Sequence, residues 1–256
     1  MDFSRDPPAH IAGAMAKSSK SNKSRGKANR TRRAVPSLRK LLLRAALGVA
    51  AVLVLLIVLF GVVNPPTTLT MWSEGRRLGH SVQQDWVSIG DIAPVMVRSA
   101  VAAEDANFCL HWGFDVEAIR AVIAEGSNRG GSTITQQVVK NVFLWQGRSW
   151  PRKMLEAMIT PAVELVWSKK RILEVYLNVA EMDDGVFGVS AASRHYFGVA
   201  PDKLTAQQAA RLAAVLPSPK TRSASEPTSR HRKRAARIAD GAATIRADGR
   251  AACFED

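Results

Sequence analysis

Two stretches of this chain carry residue types that could act on one ligand. In the first, Ala103-Glu104-Asp105-Ala106-Asn107-Phe108-Cys109-Leu110-His111-Trp112-Gly113-Phe114-Asp115, Glu104 lies three positions after the apolar Val101 and is followed by Phe108 and Trp112. Such surroundings raise a carboxyl pKa toward the range of a general base. In the second, Gly130-Gly131-Ser132-Thr133-Ile134-Thr135-Gln136-Gln137, the glycines permit a tight turn and Ser132 or Thr133 can cap the helix that follows. Gln136 and Gln137 add amides of the kind that read sugar hydroxyls or acetamido groups. Thr133, Gln136, Gln137 and Lys140 recur three or four apart and share a helical face. This is not a Walker phosphate loop, because the Gly-Lys-Ser/Thr ending is absent. Each stretch also has a plain reading: Glu104 and Asp105 as solvated surface acids, the glycines as a capped turn.

Cations follow. Arg148, Arg152 and Lys153 precede Glu156, which lies one helical turn after Arg152. They form either an exposed i,i+4 ion pair worth about 0.2–0.5 kcal/mol or an anion site that meets a pyrophosphate while Glu156 orients the cations. Lys169, Lys170 and Arg171 pose the same alternative. The five histidines show no pair at zinc-ligand spacing.

The elements that must position these groups read as helices. Residues 94–104 place Pro94, Val97 and Val101 on one side; residues 115–126 have Asp115 as a cap and Val116, Ile119 and Ile123 near period 3.6. Residues 152–178 read as a longer helix broken or kinked at Pro161. Thr205 caps a segment ending before Leu216, and residues 230–247 form a basic final helix. No run of period two requires a substantial sheet, so the fold class is mainly α. Cys109 and Cys253 could pair in an oxidising compartment, or Cys109 could be a buried free thiol.

Upstream, residues 45–63 are nineteen uncharged, mostly apolar residues, about 28 Å as a helix and enough for a hydrocarbon core of roughly 30 Å. The length of the run, and an Asn64-Pro65-Pro66 exit without small-x-small spacing, favour an uncleaved transmembrane helix over a signal peptide. Residues 1–44 hold twelve Lys/Arg against two Asp, whereas residues 45–256 hold twenty-four against twenty acids. The basicity is therefore concentrated in a Ser-, Lys- and Arg-rich tail, expected to be disordered. That tail sets topology, with the N-terminus cytoplasmic and residues 64–256 outside. No aromatic follows Phe3 in it, which argues against nucleic acid.

Together these residues resemble the monofunctional biosynthetic peptidoglycan glycosyltransferases, whose domain also forms the front half of bifunctional penicillin-binding proteins. The similarity covers about residues 85–220 and rests on ordered blocks: EDANFCLHWGFD at 104–115, GGSTITQQVVKN at 130–141, RKMLE at 152–156, KRILEVYLNVAEMDDGVFGVSAASRHYFG at 170–198 together with Lys169, and LTAQQAARLAAVLPSP at 204–219. Gln208 stands where many relatives have Glu, and Ser218 where Asn is frequent, which puts local packing in doubt more than activity.

The resemblance implies a lysozyme-like, mainly α domain that polymerises lipid II outside the cytoplasmic membrane. It places Glu104 at the catalytic base and Glu156 at a second catalytic carboxylate. Lys140, Arg148, Arg152 and Lys153 become donor-pyrophosphate contacts, and Asp105, Ser132, Thr133, Gln136 and Gln137 substrate-binding positions. The expected organisation is a tail at 1–44, a transmembrane helix at 45–63, a connector at 64–90, the catalytic domain at 91–220 and a basic helical extension at 221–256. Some 37 residues follow Pro219, too few for a transpeptidase domain of about 100 or more. No cofactor is required; a divalent cation assisting the diphosphate stays open. Expected partners are lipid II, the growing glycan strand and the cytoplasmic membrane, with other cell-wall synthesis or division proteins as further candidates.

The chemistry agrees with building rather than cutting. Hydrolysis of a sugar–sugar bond needs an acid for a poor alkoxide leaving group, whereas a pyrophosphate leaves as a stable anion and needs Lys and Arg. The rivals are a lysozyme-like hydrolase or lytic transglycosylase, which shortens glycan, and a non-catalytic scaffold, for which Glu104 is dispensable. The sequence leaves open whether Arg222, Arg230, Arg232, Lys233, Arg234 and Arg237 meet anionic lipid or water.

Overall fold

The apolar segment becomes α1 (Leu38–Phe60), a 23-residue helix about 34 Å long. It begins two turns before the uncharged run, so Arg39, Lys40 and Arg44 lie on its first turns. Most of its apolar side chains are exposed, Leu47 at 61%, Val54 at 59% and Leu55 at 64%, while Ile57 near its end is buried. A helix apolar on every face, with little protein packed on it, is a candidate membrane span. The computed structural model describes residues 37–124, 131–147 and 149–255; the basic tail before residue 37 lies outside them. The chain divides into two units between Ala46 and Leu47, inside α1.

The segment read as a connector holds α2 (Leu69–Leu78), started by the Thr68 hydroxyl accepting from Met71 N and stopped by Gly79 in the left-handed region. The two-residue strand β1 (Gln83–Gln84) follows. Then come α3 (Pro94–Glu104), with Pro94 at its first position, α4 (Val116–Ala124), α5 (Ile134–Phe143) and α6 (Trp150–Val166). Next are α7 (Lys169–Val179), β2 (Glu181–Asp183), β3 (Val186–Phe187) and α8 (Gly188–Phe197). The chain closes with α9 (Ala206–Val215), α10 (Ser229–Ala247) and α11 (Ala252–Glu255). The strands form one small sheet in the order β1-β3-β2, parallel between β1 and β3 and antiparallel between β2 and β3. The fold is mainly α, as the periodicity predicts.

Two boundaries differ from the sequence reading. The long helix does not break at Pro161, which lies inside α6; the break comes at Trp167–Ser168. There Trp167 is buried, with its indole N–H donating to Ile57 O at 2.7 Å, and the Ser168 hydroxyl accepts from Arg171 N to start α7. Nor is the C-terminal segment an appendage: Ala235, Ile238, Ala242 and Ile245 of α10 are buried, and α10 packs against α9 and α3. Cys109 and Cys253 form a disulfide with their Cα atoms 5.7 Å apart, joining the loop after α3 to α11. At the centre, Met96, Ala100 and Val101 of α3 meet the buried Ile134 and Val138 of α5 and Leu173, Tyr176 and Leu177 of α7 within one apolar core.

Candidate active site

Glu104 is the last residue of α3, at the negative end of the helix dipole. Its side chain is only 11% exposed. Oε2 accepts from Gln137 Nε2 at 3.1 Å, while Oε1 is buried without a hydrogen-bond partner among the described residues. Burial pushes its pKa up, opposed by the Gln137 hydrogen bond and by the charges of Arg234, Arg222 and Lys140. The result is a carboxylate with one oxygen held by a hydrogen bond and its pKa raised by burial.

The second stretch is tied to the first. Asp105 accepts from Ile134 N, the first residue of α5, at 3.0 Å through Oδ2 and pairs with His111 Nε2 at 2.8 Å through Oδ1. Its side chain is 2% exposed, and these two bonds make it a strut between the two stretches. Thr133 and Gln136 are likewise buried. They form a capping box, Gln136 N donating to Thr133 Oγ1 and Thr133 N donating to Gln136 Oε1, and Thr133 Oγ1 also donates to Gly113 O at 2.7 Å. Both start α5 and fix its angle. Gly113 has φ +76°, and a Cβ there would lie 2.5 Å from Thr160 Cγ2, so only glycine lets the loop lie this close to α6. Gly130 lies outside the described residues.

Gln137 and Lys140 are one turn apart on α5 and do different jobs. Tyr176 OH donates to Gln137 Oε1 at 3.5 Å, and burial holds that phenol protonated by pushing its pKa well up. The amide is thereby turned with its N–H toward Glu104. The Lys140 ammonium makes no hydrogen bond to a described residue; burial lowers its pKa, Glu156 and Glu104 oppose that, and Arg152 and Lys153 add to it.

Around Lys140 the cations are held by one acid. Arg152 Nη1 donates to Glu156 Oε2 at 2.9 Å and Arg152 Nε to Gly147 O at 2.8 Å. Lys153 Nζ bonds Glu156 Oε1 and also donates to Ser132 Oγ at 3.2 Å. Arg152 and Glu156 are both buried, which excludes the exposed i,i+4 pair. Glu156 has one oxygen on each cation, so it holds the two together. Arg148 lies outside the described residues. Lys169 and Arg171 are structural: Lys169 donates to His111 O at 2.7 Å and Glu164 Oε1 at 2.9 Å, and Arg171 to Phe60 O and Val63 O.

Sequence reasoning missed three groups. Tyr176 carries no charge and no spacing signal. Arg234 of α10 lies 3.6 Å from Glu104 Oε1 through Nη2, and Arg222 adds to the same positive field. Both arginines belong to the segment whose cations had no assigned partner; a helix of unknown docking gives no sign of which arginine faces inward. Two groups of described residues bring three possible ligand atoms within 4.8 Å of one another: Asp105, His111 and Asp115, and Glu74, Glu181 and Asp184. In the first group Asp105 is bonded as above, and Asp115 accepts from Ala118 N as the α4 cap and from Asn107 Nδ2.

Residues 73–243 match the Transglycosylase family model. A protein of Jannaschia sp. (strain CCS1), called biosynthetic peptidoglycan transglycosylase, is 57% identical over 235 residues, covering 92% of this chain and 98% of its own length. Proteins of the same name from Pseudomonas putida (strain GB-1) and Cronobacter sakazakii (strain ATCC BAA-894) are 49% and 50% identical, over 76% and 75% of this chain and 86% and 83% of their own lengths.

Proposed function

From the premise that this chain belongs to the transglycosylase family and is a peptidoglycan glycosyltransferase, we propose that it polymerises lipid II. Glu104 removes the proton from the 4-hydroxyl of the acceptor's N-acetylglucosamine. That oxygen attacks C1 of the lipid-linked N-acetylmuramic acid at the end of the growing chain, and the C1–O bond to the pyrophosphate breaks. The electron pair leaves with polyprenyl diphosphate, and inversion turns an α-linked donor into a β-1,4 product. The observation that carries this reading is α5, which on adjacent turns sets Gln137 on the base and Lys140 beside the Arg152–Glu156–Lys153 cluster. Acceptor activation and leaving-group stabilisation are thereby coupled through one rigid helix.

The membrane supports the substrate choice. α1 is the candidate anchor, and Met154, Met158 and Leu165, which share a face of α6, are exposed at 64%, 72% and 74%. A domain held at the bilayer meets a polyprenyl-linked substrate at raised effective concentration. The positive charges before α1 favour a cytoplasmic N-terminus and an outside domain, and the Cys109–Cys253 disulfide suits an oxidising compartment.

Lys140→Gln tests the leaving-group half. Because the Lys140 ammonium has no hydrogen bond to a described residue to lose, the variant should melt no lower than the parent yet make little or no glycan from lipid II. Full activity in that variant would refute the assignment.

A further inference from the structure

The proposed chemistry makes no use of the Cys109–Cys253 bridge. Cys109 lies five residues after Glu104, in the short turn Phe108–Leu110, and Cys253 lies in α11. The bridge therefore ties the segment that follows the base to the far end of the chain. That far end grips its surroundings at three further points: Arg250 Nη1 donates to Ala106 O at 3.1 Å, Phe254 is buried, and Glu255 is bonded to Arg98 of α3. Both cysteines are half-buried, so a small thiol can reach the bridge while the core stays closed.

Both ends of this link reach the base. The loop from Asp105 to Gly113 sets where α5 starts, because Asp105 Oδ2 accepts from Ile134 N and Thr133 Oγ1 donates to Gly113 O, and α5 brings Gln137 to Glu104. On the other side, α11 continues from α10, whose Arg234 Nη2 stands 3.6 Å from Glu104 Oε1. The bridge thus fastens the loop that places Gln137 to the segment that carries Arg234. A displacement of about 1 Å at a reacting group can cost roughly a hundred-fold in rate, so a crosslink at this point bears on turnover as well as on stability.

We propose that Cys109–Cys253 is a redox clasp, formed and opened by exchange with an external disulfide and dithiol, that holds the base in its working position, so that the bridged chain polymerises and the reduced chain turns over slowly. In closing, one cysteine thiolate attacks a sulfur of the external disulfide, whose S–S bond breaks to leave a mixed disulfide and one external thiolate. The second cysteine thiolate then attacks the protein sulfur of the mixed disulfide, the bridge forms and the second external thiolate leaves. Two electrons pass from the cysteines to the external disulfide, and the two thiol protons end on the external dithiol; opening is the reverse. The inference rests on the reading of Glu104 as the base. Glu104 is faced by Gln137 and Lys140 of α5, Tyr176 of α7, Arg222 after α9 and Arg234 of α10, with Asp105 beside it in the chain. Gln137, Arg234, Arg222 and Lys140 each oppose the burial that raises its pKa, so loosening the loop or α10 moves the acid side of the pH–rate profile to higher pH.

The test compares the full chain in neutral detergent after oxidation with glutathione disulfide and after reduction with dithiothreitol, the two thiols being counted by alkylation and mass spectrometry, at a temperature where thermal melts show both states folded. The reduced chain should polymerise lipid II roughly ten-fold more slowly or worse, the acid side of its pH–rate profile should lie at higher pH, and reoxidation should restore both. Cys109→Ser combined with Cys253→Ser should match the reduced chain and ignore dithiothreitol. Hydrogen exchange should rise across residues 105–113 and 248–255 on reduction. A bridge that dithiothreitol does not open in the folded chain, an equal rate in the two states, or slower turnover with an unmoved acid side overturns the proposal. If the oxidised chain makes no polymer, the catalytic reading falls by itself and hydrogen exchange decides the clasp, unchanged protection across 105–113 overturning it.

Discussion

Glu104 is asked to be anionic enough to take a proton and buried enough to want one. Desolvation raises its pKa above the ordinary 4.5, and Gln137, Arg234, Arg222 and Lys140 pull it back. Its protonated form is bound more tightly by the folded chain, so folding stability is greatest below the unfolded value and falls as pH rises through the folded one. Glu104→Gln should therefore raise the melting temperature at neutral pH, with the gain disappearing below about pH 4.5, while turnover drops by roughly 10²–10⁴-fold; thermal melts at several pH values check the sign. The pH–rate profile should be a bell. Its acid limb, set by Glu104, lies above 4.5 and its alkaline limb, set by Lys140, lies below 10.5, because burial lowers the lysine. Gln137→Ala removes a donor to the carboxylate and should move the acid limb to higher pH; an unmoved limb would mean that another group titrates there.

The helices explain why some of the site was legible and some was not. Local signals sufficed where the chain contacts itself at short range: Pro94 opening α3, Asp115 capping α4, and Thr205 with Gln208 forming the capping box of α9. That box accommodates the departure at Gln208, whose amide oxygen accepts from Thr205 N at 3.0 Å, so glutamine does there what a glutamate would. Glu104, Lys140, Arg152 and Lys153 stood out by charge and block order, and the structure brings them into one neighbourhood. Thr133 and Gln136 could be read either way, because the same side chains suit a capping box and a ligand groove, and the capping box is what their burial shows. Arg234 was invisible since its role depends on how α10 docks on α3. At this scale Gly113→Ala should destabilise by about 1–3 kcal/mol, through left-handed strain and a clash with Thr160, measurable by denaturant unfolding. Arg234→Ala should shift the acid limb in the same direction as Gln137→Ala, and Arg234→Lys should partly restore it.

Over the whole molecule, the candidate membrane span α1 and a disulfide 144 residues in span fit the proposed setting, a membrane beside an oxidising compartment. The cysteine pairing was not decidable from spacing, because it depends on α11 returning to the loop after α3. Phe254 buried beneath it and Arg250 Nη1 donating to Ala106 O at 3.1 Å help to hold that return. Cys253→Ser should lower stability by about 2–4 kcal/mol, read as a lower denaturation midpoint with little change in slope. The most direct measurement is incubation of the purified full chain with labelled lipid II, with strand length and linkage read from the products. The wild-type chain should yield β-1,4 glycan with release of polyprenyl diphosphate, and folded Glu104→Gln should yield it roughly 10²–10⁴-fold more slowly. Polymer made equally well by Glu104→Gln, or shortening of preformed glycan by the wild type with no polymer from lipid II, would contradict the account.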